Sequence, residues 1–238
     1  MRHSTKRPRS LVSRCLATLL GGGLAIACGT SGTDEPPTAP RPGELGEGEF
    51  LYECVSNDDP MCPSDLIPGE FPERIVTGGE FDVSFEITDP DETQSAVTVR
   101  SGSETYIEET SGAFRAVQAG MGVLLARRTV DAATLDFVHL TIVDLESLEI
   151  TQPGGNPPQV VMQEDETQEL RATPSAGSGM VLGGAVPITW SSSDETVIQP
   201  IDASPTAFMT VAAGVAGEAT ITAEAEGQTA ELTITVEP

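Results

Sequence analysis

Apolar side chains recur at every second position along much of this chain. Phe81, Val83, Phe85 and Ile87 alternate with polar neighbours, as do Ala219, Ile221, Ala223 and Ala225, and then Ala230, Leu232, Ile234 and Val236. A period of two places one set of side chains on a single face of extended backbone, so these segments are expected to be half-buried antiparallel strands. Turn formers punctuate the runs at Gly78-Gly79, Asp89-Pro90-Asp91, Ser111-Gly112, Ser204-Pro205 and Glu226-Gly227. No long stretch carries the apolar period of a helix, and the 24 Gly and 18 Pro suit many short strands joined by turns. The expected fold class is all-β.

The pattern occurs twice. Val97-Thr-Val-Arg-Ser-Gly-Ser-Glu-Thr-Tyr-Ile107 aligns without gaps on Ile188-Thr-Trp-Ser-Ser-Ser-Asp-Glu-Thr-Val-Ile198, sharing Ser101/Ser192, Glu104/Glu195, Thr105/Thr196 and Ile107/Ile198. Further on, Ala113 to Gly120 matches Ala207 to Gly214, and Leu140-Thr-Ile-Val143 matches Leu232-Thr-Ile-Thr235. A repeat of about 92 residues is too long for a solenoid unit and suits a whole β-sandwich. About seven strand-like runs fall in each copy, the number in an immunoglobulin-like sandwich.

Ile188-Thr-Trp-Ser-Ser-Ser-Asp-Glu-Thr-Val197, with Val211-Ala-Ala-Gly214 and Gly217-Glu-Ala-Thr-Ile-Thr-Ala223, resembles the bacterial Ig-like domains of group 2 over residues 146–238. The resemblance implies a sandwich and is uninformative about activity. Two features depart from that pattern: Ser175 to Ala185 is a Gly-rich insertion, and Asp202-Ala-Ser-Pro205 replaces a tight Gly turn. The first copy carries Val99 where the family has Trp, so its membership rests on the internal repeat.

The first 28 residues are of another kind. They hold five of the 12 basic residues, and no acid occurs before Asp34. A basic start precedes the apolar run Cys15 to Ala27, too short and Gly-rich for a comfortable membrane span, which reads as an export signal. The segment Leu24-Ala25-Ile26-Ala27-Cys28-Gly29 resembles the lipobox of bacterial lipoproteins. That resemblance implies that residues 1–27 are removed and that Cys28 becomes an acylated N-terminus held in the membrane. Ala25 stands where the lipobox prefers Leu, and an ordinary signal peptide cut after Ala25 or Ala27 is the alternative. Gly29 after the cysteine, rather than Asp, suggests the outer membrane by the sorting rule of enteric bacteria. Residues 28–47, with little apolar content, are expected to be a disordered tether. The remaining boundaries are one sandwich over 48–145 and a second over 146–238.

Without the signal, seven basic residues face 37 acids, and none of the seven is lysine. That excess of negative charge disfavours nucleic acid as a partner, because duplex binding sets several cations against phosphates. Cys54 and Cys62 are an even pair in an exported chain and are expected to be disulfide-bonded; two free thiols or half a metal site are the alternatives. Comparison of the two copies puts their loop where the first strand passes from one sheet to the other.

Candidate chemistry is sparse. His139 alternates with Val138, Leu140 and Ile142, so it is expected to face solvent. Trp190, on a core strand of the resembled family, is expected to pack in the interior rather than serve as a sugar platform. Asp58-Asp59, Asp89-Pro-Asp-Glu92 and Glu164-Asp-Glu166 are acidic loops that lack the spacing of a calcium-binding loop, and turn chemistry accounts for them. Neither a metal nor a cofactor is implied. The insertion carries Met180, Val181 and Leu182 between glycines, and these are the candidate contact residues of a mobile loop, or else apolar residues folded back over the sandwich end. The expected role is non-enzymatic: a lipid-anchored envelope protein acting in surface binding or as a spacer, with an envelope protein or polysaccharide as partner. The alternatives are an accessory or structural subunit of an envelope complex, and a carboxylate-dependent accessory to a glycan hydrolase.

Overall fold

Strands form where the two-residue alternation places them. In the computed structural model the first copy contains β1 (Arg41–Pro42), β2 (Gly48–Glu53), β3 (Arg74–Val76), β4 (Glu80–Ile87), β5 (Val97–Ser101), β6 (Ile107–Glu109), β7 (Phe114–Ala116), β8 (Gly120–Arg128) and β9 (Thr134–Val143). The second contains β10 (Ser147–Thr151), β11 (Val160–Gln163), β12 (Thr167–Ala176), β13 (Met180–Val181), β14 (Thr189–Ser192), β15 (Ile198–Pro200), β16 (Phe208–Ala213), β17 (Gly217–Ala225) and β18 (Gln228–Glu237). The structure describes residues 40–62, 71–88, 96–152, 160–177, 179–202 and 205–238, all within one unit that begins at Pro36. Residues 1–39, which include the expected signal segment, Cys28 and the first part of the expected tether, lie outside the described residues.

The two copies share one topology. One sheet of the first runs β1-β2-β4-β7-β6 and its facing sheet β3-β9-β8-β5; the second runs β10-β12-β16-β15 and β11-β18-β17-β14. Strand by strand, β2 answers to β10, β4 to β12, β5 to β14 and β9 to β18. The repeat is therefore a repeat of fold, and the chain is an all-β pair of immunoglobulin-like sandwiches. Only β1 and β13 have no counterpart among the described residues. In both copies the opening strand changes sheet: β2 pairs antiparallel with β4, whereas β3 runs parallel to β9, with Ile75 opposite Ile142. The Cys54–Cys62 disulfide lies between β2 and β3, at that crossing. The matching loop of the second copy, 153–159, lies outside the described residues.

Alternation also sets the interior. Phe50, Tyr52, Phe81, Ile107, Leu124, Leu140 and Ile142 fill the first sandwich, and Leu170, Val211, Ile221 and Ile234 fill the second. Burying each large side chain of this kind is worth about 1.5–3 kcal/mol before entropy is counted. A third cluster crosses the boundary between the copies. It joins Val76 of β3 to Leu145, Leu148, Leu182, Val186 and Ile188. Trp190 sits half-buried where the second and third clusters meet, and its indole N–H donates to the Thr206 carbonyl at 2.8 Å. The β17–β18 hairpin turns on Glu226-Gly227, with φ of 46° and 77°, the left-handed pair that a two-residue turn between strands requires.

Residues 40–47, expected to belong to a disordered tether, are instead part of the fold. Arg41 and Pro42 pair with Phe50 and Glu49 as β1, and residues 43–47 close the hairpin onto the sandwich. Asp136 is the physical reason. It lies on the inward face of β9, fully buried, and its carboxylate accepts the N–H groups of Leu45 and Glu47, each at 2.8 Å. Gly43 lies so close that a Cβ there would stand 2.2 Å from the carboxyl carbon.

Candidate functional site

The sequence-identified residues do not converge on one place. Cys28 lies outside the described residues, as does Asp89-Pro-Asp-Glu92. Cys54 and Cys62 are bonded, with Cα atoms 5.7 Å apart. His139 faces outward as its parity requires, but it is not alone: Glu44 of the N-terminal hairpin meets its Nδ1 at 2.5 Å and accepts its backbone N–H at 3.2 Å. The hydrogen bond from His139 holds the Glu44 carboxyl below its ordinary range. In the Glu164-Asp-Glu166 loop, Glu166 accepts the Gln163 N–H and Glu164 that of Ala216. Among the described residues no three His, Cys, Asp or Glu side chains converge as a metal site.

Met180, Val181 and Leu182 are not a free loop. Met180 and Val181 form β13 against Ala176 and Ser175 of β12, and Leu182 is fully buried in the third cluster. Val181 alone of the three is well exposed, at 42%. The glycines of this Gly-rich segment permit close approach between the sandwiches. A Cβ on Gly183 would stand 2.7 Å from the Pro72 ring, and one on Gly184, whose φ is 98°, would stand 3.2 Å from the Gly79 Cα. The insertion therefore faces the first sandwich instead of the far end of the second, because an apolar residue such as Leu182 gains more from burial than from exposure.

The sites that matter structurally gather at this junction. From the second sandwich, the segment 183–185 enters the first: Val76 N–H donates to the Gly183 carbonyl, Gly183 N–H to the Arg74 carbonyl, and Glu80 and Ala185 exchange both backbone bonds, all at 2.8–3.0 Å. From the first, the disulfide loop enters the second. Asp58 accepts the Thr206 hydroxyl at 2.7 Å and the Ala207 N–H at 2.8 Å. Asp59, fully buried, accepts the Tyr52 hydroxyl at 2.6 Å and the Met61 N–H at 2.9 Å, and the Gly184 N–H also reaches it. The Arg171 guanidinium lies over the Phe208 ring and reaches the Pro60 carbonyl at 3.4 Å. Asp59 carries no periodicity signal in the sequence, since it sits in a loop, and Gly184, one of its donors, is remote in sequence. Asp136 does: it occupies the core parity of Asp136, Val138, Leu140 and Ile142, and a charge at that parity marks a buried acceptor.

Beside these contacts an open cleft of about 520 Å³ separates the sandwiches, walled by Val55, Val186, Pro187 and Pro205 and flanked by Glu80 and Glu226. Glu80 is ion-paired to Arg115 there. Asp58, at its edge, is committed to Thr206 and Ala207, so the acids of this cleft are largely engaged in holding the fold.

Comparison with known proteins adds likeness without assignment. No family profile and no curated protein matches the chain. Domains 4 and 5 of the S-layer protein SbsC superpose with a TM-score of 0.34 at 13% identity, covering 69% of this chain and 94% of that one. The adhesin InvE of Yersinia pseudotuberculosis gives 0.34 at 16% identity, over 70% of this chain and 57% of that one. A C-terminal fragment of intimin, solved with the intimin-binding domain of its translocated receptor, gives 0.28 at 17% identity, over 68% and 61%. At these values the likenesses carry no argument about role.

Burial raises the Asp59 carboxyl above its ordinary range, against the opposing pull of its hydrogen bonds and of Arg171. The folded chain thus holds a proton on Asp59 more tightly than the unfolded chain does. The group's contribution to stability is largest below the unfolded carboxyl value and declines as pH rises through the folded one. The stability deficit of Asp59→Ala relative to wild type should accordingly be larger at about pH 4 than at about pH 7. Urea midpoints of both proteins at the two pH values check this, and a deficit that grows toward neutrality would contradict it.

Proposed function

We propose that this chain is a lipid-anchored protein of the bacterial cell envelope whose two sandwiches act by binding or by spacing rather than by catalysis. The observation that carries the reading is the pairing of a lipobox-like Leu24-Ala25-Ile26-Ala27-Cys28-Gly29 with two copies of one sandwich fold in tandem. An N-terminal acyl anchor of two or more chains gives stable membrane attachment, at about 0.8 kcal/mol per buried CH₂. The sandwiches then project from it, the second beyond the first. Export suits the disulfide, which persists in an oxidising compartment. Gly29 after the cysteine favours the outer membrane, and an envelope protein or a polysaccharide is the class of partner. The far pole of the second sandwich, formed by residues 163–166, 193–197 and 214–217, is the end such a partner would meet first, in place of Met180 to Leu182.

Labelling with a palmitate analogue in a bacterial host should mark the full-length chain and leave Cys28→Ala unmarked. Equal labelling of both would remove the anchor from this reading.

A further inference from the structure

We propose that the Cys54–Cys62 loop is a latch between the sandwiches: the disulfide holds Asp58 and Asp59 in the shape that engages the second sandwich, and losing that shape frees the sandwiches from a single fixed pose. The loop has two ends with different attachments. At its base, Cys62 is buried in the first sandwich's own core, beside Phe50, Tyr52 and Phe81. At its tip, Asp58 binds Thr206 and Ala207 of the second sandwich, and Arg171 reaches the Pro60 carbonyl.

Internal bonds give the tip its form. Cys62 N–H donates to the Asp59 carbonyl at 3.0 Å, Met61 N–H to the Asp59 carboxylate, and Asp58 N–H to the Ser56 hydroxyl at 3.0 Å. The disulfide confines that turn to residues 54–62; without it the turn keeps only its hydrogen bonds to hold its shape. Closing so short a loop lowers the chain entropy of its open forms, which favours the shape that aims two aspartates across the junction.

The latch also touches the other set of junction contacts. Asp59 takes the N–H of Gly184, the residue between Gly183 and Ala185, whose backbones are bonded to Arg74, Val76 and Glu80. One carboxylate thereby connects the loop of the first sandwich to the inserted segment of the second. Releasing the loop should loosen the inserted segment as well, although none of its own bonding groups has been altered.

That coupling is the test. Amide hydrogen exchange is to be measured by NMR on residues 36–238 as the oxidised wild type, as Asp58→Ala with the disulfide intact, and as the double variant Cys54→Ser/Cys62→Ser. In both variants the amides of Val76, Glu80, Gly183 and Ala185 should exchange at least about tenfold faster, while the core amides of Val138, Leu140, Ile221 and Ile234 stay within about twofold. Unchanged exchange at the four junction amides in Asp58→Ala overturns the latch. Should the cysteine variant speed the core amides too, Asp58→Ala decides alone, because its cross-link and its first-sandwich core are untouched.

Discussion

Replacing Asp136 by alanine should lower the unfolding free energy by about 3 kcal/mol. The carboxylate is fully buried and accepts backbone N–H groups from Leu45 and Glu47, and from Phe137 at 2.8 Å. Alanine strands those donors and opens the space against which Gly43 packs. Asparagine should recover only part of the loss, since its amide NH2, a donor, would face the Glu47 N–H where the second carboxylate oxygen accepts it. The damage should fall on the hairpin of β1 and β2 that residues 43–47 close. Urea denaturation gives the free energy, and a loss below about 1 kcal/mol for Asp136→Ala would show that the hairpin holds without its buried acceptor.

Leu182→Ala should cost about 3 kcal/mol, or roughly 6–12 °C in Tm if the unit melts cooperatively. Leu182 has no exposed surface and packs in the cluster that joins Val76 to Leu148, Val186 and Ile188. Truncation leaves a cavity at the junction of the sandwiches, where collapse is limited by strands on both sides. Val181→Ala, at an exposed position of the same short strand, should change Tm by little. If the two substitutions proved equally mild, the segment would behave as the free loop that its glycines suggest. A deletion of the insertion is likewise expected to destabilise the protein, since it removes β13 and every bond that Gly183 and Ala185 make to the first sandwich.

How far the sequence carries is visible in particular residues. His139 was legible as outward-facing, because parity along β9 requires only its neighbours. Its engagement with Glu44 was not, because the two are 95 residues apart and meet only once the hairpin folds onto β9. Cys54 and Cys62 were legible as a pair because they are the two cysteines left after Cys28, in a chain whose N-terminus reads as an export signal. That their loop reaches into the second sandwich was not, since Asp58 and Thr206 are 148 residues apart. Gly183 and Gly184 read as spacers from composition, whereas Pro72 and Gly79 across the junction make them sites of close approach.

The sequence by itself determined the all-β class, the doubling of one sandwich, the strand-switching position of the disulfide loop and the export-signal pattern at the N-terminus. These follow from local regularities: a period of two, turn residues at its breaks, and self-similarity at about 92 residues. The tertiary structure decided that residues 41–47 join the fold, which way the insertion faces and which acids are buried. Those outcomes depend on contacts between segments tens to more than a hundred residues apart. A buried carboxylate such as Asp136 or Asp59 is tolerable only where N–H and O–H donors converge on it, among them the remote Leu45 and Glu47 for Asp136 and Gly184 for Asp59, and the spacing of residues along the chain does not encode that convergence.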